Sequence, residues 1–596
     1  MTDFSPRFSN LPEIVEYSRE AFSNRPLMGT KRDGNWDWMT YREFGDAVDQ
    51  CRAGMAGLGI RKGDRVAIIA DNREEWAITA YGAYGLGAAV VPMYESQKDE
   101  NWHYILRDSE ARMAVVANGD ISDRVAAFKG DDLPNLEHVV AFDGDSSAGI
   151  AFAELLRQGI GSPVDPASID SKDVAGFVYT SGTTGNPKGV VLTHENFASN
   201  VSAITDVFPI DLEDRSLSFL PWAHSFGQTV ELHTLLSVGA STAFAEGTDK
   251  ITENMAEVGP TMLVSVPRIF NKIYEGLNKR MEAEGGVKKT LFDRAVSNAN
   301  RRREMADDGK SSWLVDTQHN VLDKLVFSKV REAFGGNLKY AISGGAAISV
   351  EVANFIDNLG IKVYEGYGLS ETSPIVTANW PGTRKIGSVG KPIPGVRVEI
   401  DAAGQDDEES SDGEIVVYGH NVMHGYHNLP SENEAVFTTD GGFRTGDLGH
   451  IDGDGFLVIT GRIKEQYKLE NGKYVVPGPL EEQIALSPFV ANAMVYGDNK
   501  QFNIALVALD EENIGAWAAE RGIDADSLAD NDQVRDLIRD EIESRLGDAK
   551  GYERVRKFAI LPEDFTLENG MLTPTLKLKR RIVIDRYTDR LNDLYQ

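Results

Sequence analysis

Tyr179–Gly189 reads YTSGTTGNPKG and directly follows the apolar run Val174–Thr180. Glycines let a backbone approach a phosphate closely, the hydroxyls of Ser181, Thr183 and Thr184 can donate to its oxygens, and Lys188 supplies charge. The segment lacks the glycine-lysine-hydroxyl ending of the P-loop and is not that motif. A plain flexible turn would not require hydroxyls, a proline and a lysine together. Phosphate binding is the chemistry these residues support.

Six further segments follow the same theme: LPWAHSFG at Leu220–Gly227, SGGA at Ser343–Ala346, YEGYGLSET at Tyr364–Thr372, FRTGDLG at Phe443–Gly449, GRIKEQYK at Gly461–Lys468 and LTPTLKLKRR at Leu572–Arg581. Together and in this order they resemble the signature of the adenylate-forming (AMP-binding) superfamily, which includes acyl-CoA synthetases, aryl-CoA ligases, luciferases and peptide-synthetase adenylation domains. The resemblance runs from about Tyr41 to the C-terminus. The helix-forming region Ile269–Phe334 and the LTPTLKLKRR ending are more similar to long-chain fatty acid–CoA ligases than to acetyl or aryl ligases.

The resemblance implies a role for each segment. Thr180, Ser181, Gly182, Thr183, Thr184, Gly185 and Lys188 would hold the ATP phosphates, with Mg²⁺ on Glu371 and Thr180. Magnesium takes oxygen ligands and commonly needs only one or two protein groups beside phosphate. Gly366 and Tyr367, with Gly344 and Gly345, would build the adenine slot, with a purine lying flat on Tyr367, and Glu365, Gly368, Ser370 and Lys464 are also expected at the nucleotide. Asp447 would accept from the ribose hydroxyls, with Arg462 beside it. Lys464 falls at the family's hinge, and His224 at the mouth of an acyl tunnel.

Two lysines would divide the chemistry. Bringing a carboxylate to the α-phosphate sets two anions together, a repulsion of about 4 kcal/mol at ~4 Å and an effective dielectric near 20. An ammonium on Lys577 would offset it. The family's usual ending at this point is Ser-Gly-Lys, whereas this chain has Thr575-Leu576-Lys577. Lys468 resembles the lysine that enters for the thioester step. The implied reaction forms acyl-AMP and pyrophosphate from a fatty acid and ATP, then acyl-CoA and AMP with coenzyme A. Alternatives are an acyl-AMP ligase loading a carrier protein, a ligase for shorter or aryl acids, or a non-catalytic binding protein. The acyl-AMP ligases usually carry an insertion after the hinge, and GRIKEQYK continues without one.

The elements that must position these residues alternate strand, turn and helix. Thr40 and Glu43 form a capping-box pattern opening a helix, and Arg65–Ala70 reads as a buried strand. Val174–Thr180, Leu338–Ser343 and Ile361–Tyr364 are strand-like runs, each ending in glycine-rich sequence. That alternation predicts an α/β fold with mainly parallel sheets covered by helices. Texture changes near Gly461, which predicts a large N-terminal domain over 1–460 and a small mobile α+β domain over 461–596. A last helix is expected to carry Val583, Tyr587, Leu591 and Leu594 on one face.

Bulk properties bound the partners. The 596 residues include 61 Lys and Arg against 92 Asp and Glu, a formal charge of −31, which argues against a general nucleic-acid binder. Cys51 is the only cysteine, so no internal disulfide forms, and its helical spacing with Phe44, Val48 and Met55 predicts a packed thiol. Ala77–Tyr94 has spanning length but reads as a buried helix running into a strand. With no signal-like start, the cytosol is the expected location. Lys272–Arg303 is locally basic; a solvated helix face is the first reading, and a peripheral surface for anionic lipid or phosphate the sharper one. Gln405–Asp412 is expected to be a solvated loop.

Overall fold

The computed structural model describes residues 4–130, 132–144, 149–180, 186–402, 412–547, 549–573 and 577–596. Ser181, Gly182, Thr183, Thr184 and Gly185 of the phosphate loop lie outside these, as do most of the acidic Gln405–Asp412 run and residues 574–576.

The large domain is built on sheets with parallel centres. Its eight-stranded sheet runs, in spatial order, Gly425–Tyr426, Lys188–Thr193, Val174–Thr180, Ala89–Met93, Arg65–Ile69, Met113–Asn118, His138–Asp143 and Ile150–Ala151. Pairing is parallel from Val174–Thr180 outward and antiparallel across Lys188–Thr193. Central strands such as Arg65–Ile69 and Ala89–Met93 are apolar at nearly every position because helices cover both faces.

A second sheet pairs Met262–Ser265, Tyr340–Ser343 and Lys362–Gly368 in parallel and adds antiparallel Ile375–Ala378 and Lys391–Pro392. A third joins Arg215–Ser218, Ser241–Phe244, Pro26–Arg32 and Asn35–Thr40. A fourth, wholly antiparallel, contains Val396–Asp401, Gly413–Gly419, Phe443–Ile451 and Leu457–Arg462.

Thr40 caps the helix Tyr41–Gly57 with Glu43 in a reciprocal capping box, and Cys51 is fully buried on that helix. The Ala77–Tyr94 stretch resolves into the buried helix Glu74–Gly85 and the strand Ala89–Met93. No described helix is long and apolar enough to cross a membrane.

Residues 267–333 leave the sheets as helices Pro267–Glu284, Gly286–Asp307 and Trp313–Leu322, a π-helical turn Asp323–Phe327, and helix Ser328–Ala333. Their inner faces, including Phe292, Ala299, Leu322 and Phe327, pack with Val352 and Ile356 of helix Val350–Asn358.

Beyond Arg462 the chain forms a smaller α+β unit. A hairpin of Tyr467–Lys468 and Tyr474–Val475 leads to a three-stranded sheet of Val490–Tyr496, Asn503–Leu509 and Val555–Ile560, flanked by helices. Its two apolar clusters are drawn from residue 467 onward. Leu486 is the exception and packs with the helical cluster of the large domain. Among the described residues two ion pairs cross between the domains, Lys279–Glu512 at 2.5 Å and Arg545–Glu351 at 3.6 Å.

The expected last helix is in fact two, Arg580–Arg586 and Thr588–Asp593, broken at Tyr587 where φ is −111° and ψ 22°. Val583, Tyr587 and Leu591 are nevertheless buried in one cluster, so the helical spacing located the buried face and missed the break.

Candidate active site

Thr180 ends its strand opposite Lys188, placing both at the mouth of the phosphate loop. The Lys188 ammonium pairs with Glu432 and lies 5.2 Å from the centre of the Tyr426 ring. Tyr426 in turn donates its hydroxyl to Glu371 Oε1 at 2.8 Å. Burial and the Glu371 carboxylate together push the Tyr426 phenol above its ordinary range. Met423 N–H donates to the Glu371 carbonyl at 2.8 Å, fixing that residue's backbone. Lys188, Tyr426 and Glu371 therefore form one continuous wall.

The second wall begins where the strand Lys362–Gly368 ends. A side chain at Gly368 is impossible, because a Cβ there would fall 1.7 Å from the Pro374 carbonyl oxygen. Tyr367 donates its hydroxyl to Asp447 Oδ2 at 2.7 Å, and Arg462 Nε donates to Asp447 Oδ1 at 2.6 Å. Asp447 and Arg462 face each other across adjacent strands, and Asp447 is only 3% exposed. Each carboxylate oxygen has a lone pair remaining, so Asp447 is held in place and still able to accept.

Gly344 sits against the Phe226 ring, which a Cβ there would meet at 3.0 Å, and Gly345 has φ +84°, a left-handed conformation that favours glycine. The Glu365 carboxyl does not face an open slot. It accepts from the Ile348 amide at 3.1 Å and so holds the loop that follows Gly345. Burial pushes it up to about 8, with Glu482 of the small domain adding to the rise. Ser370 is buried with its Oγ 3.3 Å from Ser225 Oγ, which ties YEGYGLSET to LPWAHSFG.

His224 accepts from the Phe226 amide through Nδ1 at 3.2 Å. Burial pushes this imidazole down to about 4, and the nearby charge of Lys577 acts in the same direction. His224 is thus neutral at pH 7.

Lys577 closes the arrangement from the small domain. Water reaches it, yet surrounding protein and the Arg462 guanidinium pull its ammonium below lysine's ordinary pKa, against the opposing pull of Asp447, Glu371 and Glu465. Its backbone is pinned to Thr573: Thr573 N–H donates to the Lys577 carbonyl at 2.9 Å, and Lys577 N–H donates to Thr573 Oγ1 at 3.0 Å. Lys579, two residues on, lies instead in the field of Lys98.

Lys464 and Lys468 lie at the surface, Lys464 near enough to Glu432 for its charge to help hold that carboxyl below its ordinary range, after the larger effect of Lys188. Both are exposed, and the Lys468 ammonium lies 4.8 Å from the Tyr474 ring centre on its own hairpin. Lys473 is likewise exposed after the Asn471-Gly472 turn. Tyr426 is the residue that the sequence reading missed. Its partner lies 55 positions away, and no local pattern marks a tyrosine as the orienting group for a carboxylate.

The donor set suits one kind of ion. No group of three or more histidine, cysteine or carboxylate side chains placed to hold a metal ion occurs among the described residues. Glu371, with Thr180 across the loop mouth, offers hard oxygens in small number. That fits Mg²⁺ carried chiefly by phosphates and does not fit a metal caged by protein.

The chain matches the AMP-binding enzyme family over residues 15–427 and the AMP-binding enzyme C-terminal domain over residues 464–596. It is 36% identical to the long-chain-fatty-acid–CoA ligase FadD15 of Mycobacterium bovis, covering 94% of this chain and 93% of that protein. It is 30% identical to the peroxisomal long chain acyl-CoA synthetase 6 of Arabidopsis thaliana, covering 99% and 87%. The fold is shared with the adenylation domain of a carboxylate reductase from Mycobacterium chelonae, at TM-score 0.80 and 22% identity over 99% of this chain and 92% of that one. An anthranilate CoA ligase, AuaEII, in complex with anthranoyl-AMP superposes at TM-score 0.75 and 21% identity, over 100% and 99%. With both halves matched and full-length relatives on either side, the chain belongs to the AMP-binding enzyme family.

Proposed function

We propose that this enzyme is a long-chain fatty acid–CoA ligase that makes acyl-AMP and pyrophosphate from fatty acid and ATP, then acyl-CoA and AMP with coenzyme A. The relatives that span nearly the whole chain carry this activity in their names. The observation that supports the mechanism is the placement of Lys577, whose ammonium is held below its ordinary pKa by burial and by Arg462 and lies also within the fields of Asp447 and Glu371.

In this reading Asp447 accepts from the ribose hydroxyls while Tyr367 and Arg462 keep its carboxylate from turning away. Lys188 and the loop it closes take the phosphates. Glu371, oriented by Tyr426, and Thr180 would hold Mg²⁺, which when bound neutralises charge on the departing pyrophosphate. The Lys577 ammonium lies between carboxylate and α-phosphate, and its worth is greatest as negative charge builds there. His224, neutral, borders the acid without adding charge. No covalent enzyme intermediate is needed, since the mixed anhydride is itself the activated species.

For the second step the part of the chain beyond Lys464 acts as a lid that swings about that residue and brings Lys468 to the cleft in place of Lys577, while Arg462 stays with Asp447. The Lys279–Glu512 and Arg545–Glu351 pairs suit such a motion, because ion pairs open to solvent on at least one side stabilise little. The test is pyrophosphate release measured with and without coenzyme A across saturated fatty acids of graded length. Acyl-CoA formation peaking at long chains is expected. Release of pyrophosphate with no thioester product would turn the reading to an acyl-AMP ligase.

A further inference from the structure

Glu231 lies on the π-helical stretch Gly227–His233, just after the turn that carries His224, and is 1% exposed. Its hydrogen-bond partners are neutral donors. Ser216 Oγ donates to Oε1 at 2.6 Å, while Ser218 Oγ and, at 3.3 Å, Trp222 Nε1 donate to Oε2. Burial pushes the carboxyl up, against the pull of these three donors. A carboxyl buried in this way costs stability that a well-packed apolar side chain of similar volume would not. Stretches of π-helix are rare and gather at functional sites. Stability alone does not account for Glu231.

What the carboxyl holds is Trp222. Asn72 grips the same residue from a second side: Trp222 N–H donates to Asn72 Oδ1 at 2.7 Å, and Asn72 Nδ2 donates to Ser218 Oγ at 2.8 Å and to the Leu220 carbonyl at 2.7 Å. The Trp222 carbonyl accepts from Gln228 Nε2 at 3.0 Å. Its indole is fully buried, edge-on to Trp76 and Phe244. His224 N–H donates to the Pro221 carbonyl at 3.0 Å, so Trp222 sits inside the turn that sets the imidazole. The nucleotide side of the same segment has separate anchors, Ser225 Oγ at 3.3 Å from Ser370 Oγ and Thr229 Oγ1 donating to the Ser373 carbonyl at 2.9 Å.

His224 Nδ1 accepts from the Phe226 amide, so the neutral ring carries its proton on Nε2 and can donate it to a carboxylate. We propose that Glu231 is a positioning residue for the fatty acid: through Trp222 it fixes the turn that aims the His224 Nε2–H at the substrate carboxylate. Glu231 itself touches neither substrate. The inference rests on the ligase reading, in which His224 borders the acid. Because the nucleotide anchors are separate, the effect of Glu231 falls on the acid and spares ATP.

The test is pyrophosphate release as a function of fatty acid and of ATP, with Glu231→Leu, Glu231→Gln and Trp222→Phe beside wild type. Glu231→Leu should raise the fatty-acid KM about tenfold, the scale of lost hydrogen bonds to one charged group, with the ATP KM within about twofold of wild type. Glu231→Gln should recover most of this, since its amide oxygen still accepts from Trp222 and Ser218 while its nitrogen donates to Ser216. Trp222→Phe keeps an aromatic ring and removes the N–H. It should raise the acid KM severalfold, and it reads the same link should Glu231→Leu not fold. On a His224→Ala background Glu231→Leu should change the acid KM by less than about twofold, because the two residues act as one unit. Equal damage to the acid and ATP KM, no rescue by glutamine, or full additivity with His224→Ala would overturn the proposal. No pyrophosphate release from wild type with any fatty acid would sink the ligase reading and this inference with it. A working ligase whose acid KM ignores Glu231→Leu and Trp222→Phe would overturn this inference alone.

Discussion

The Tyr426 hydroxyl donates to Glu371 Oε1 at 2.8 Å, and the ring that carries it also borders the Lys188 ammonium at 5.2 Å. One aromatic side chain thereby links Lys188, proposed to take the phosphates, to the carboxylate proposed to face the metal. Removing only the hydroxyl isolates that link. Tyr426→Phe should raise the Mg²⁺ concentration for half-maximal pyrophosphate release by roughly tenfold, the scale of one hydrogen bond to a charged group at about 1.5 kcal/mol. An unchanged Mg²⁺ requirement would show that Glu371 needs no such orientation.

Lys577→Ala should slow adenylation by about 10²–10³-fold, the usual scale for losing one preorganised charge-stabilising group. Thioester formation from supplied acyl-AMP should be largely spared. Lys579→Ala should do little to either step, because Lys579 sits in the field of Lys98 and away from Asp447 and Glu371. Equal loss of both half-reactions in Lys577→Ala would count against the division of labour.

Asp447→Asn keeps the shape and removes the charge that Tyr367 and Arg462 grip. It should weaken binding of a non-hydrolysable ATP analogue by ~2 kcal/mol or more, since Arg462 loses its carboxylate and the ribose loses an acceptor. Titration calorimetry reads this directly. Fatty-acid affinity should be unaltered in the same protein.

Glu365 gives a pH signature. Its folded-state pKa is pushed up to about 8, above the ordinary carboxyl value, so the folded site favours its neutral form. That contribution is complete below the unfolded pKa and is lost as pH rises toward and through about 8. Ionised Glu365 would also repel Glu482 of the small domain, which weakens the docked arrangement. Adenylation should therefore decline between pH 7 and 9, with proteolytic cleavage near exposed Lys464 rising in parallel. Glu365→Gln should flatten both curves, and a variant that follows the wild-type profile would reject this cause.

Much of this was legible before any coordinates. The strand before YTSGTTGNPKG, the capping box at Thr40 and the buried helix-to-strand run after Glu74 each announce themselves through short-range pattern. The pairing of Tyr367 with Asp447 and the bond from Tyr426 to Glu371 do not, because both span more than fifty residues and depend on how sheets pack. The break at Tyr587 escaped for a different reason. Apolar spacing records which face is buried, and two short helices in line bury the same face as one long helix. Glu365 shows the limit of motif transfer: within YEGYGLSET its side chain is spent on the Ile348 amide, a structural duty that the string of letters does not reveal.

The apolar clusters of the small domain contain nothing from before residue 467. Whatever angle that domain adopts, its interior travels with it, and among the described residues reorientation would release Leu486, the Lys279–Glu512 and Arg545–Glu351 pairs and the approach of Lys577 to Asp447 and Glu371. A core substitution there, at Ile538 for instance, would unravel the travelling part and leave the nucleotide half folded. Such a protein would still bind ATP while performing neither half of the reaction.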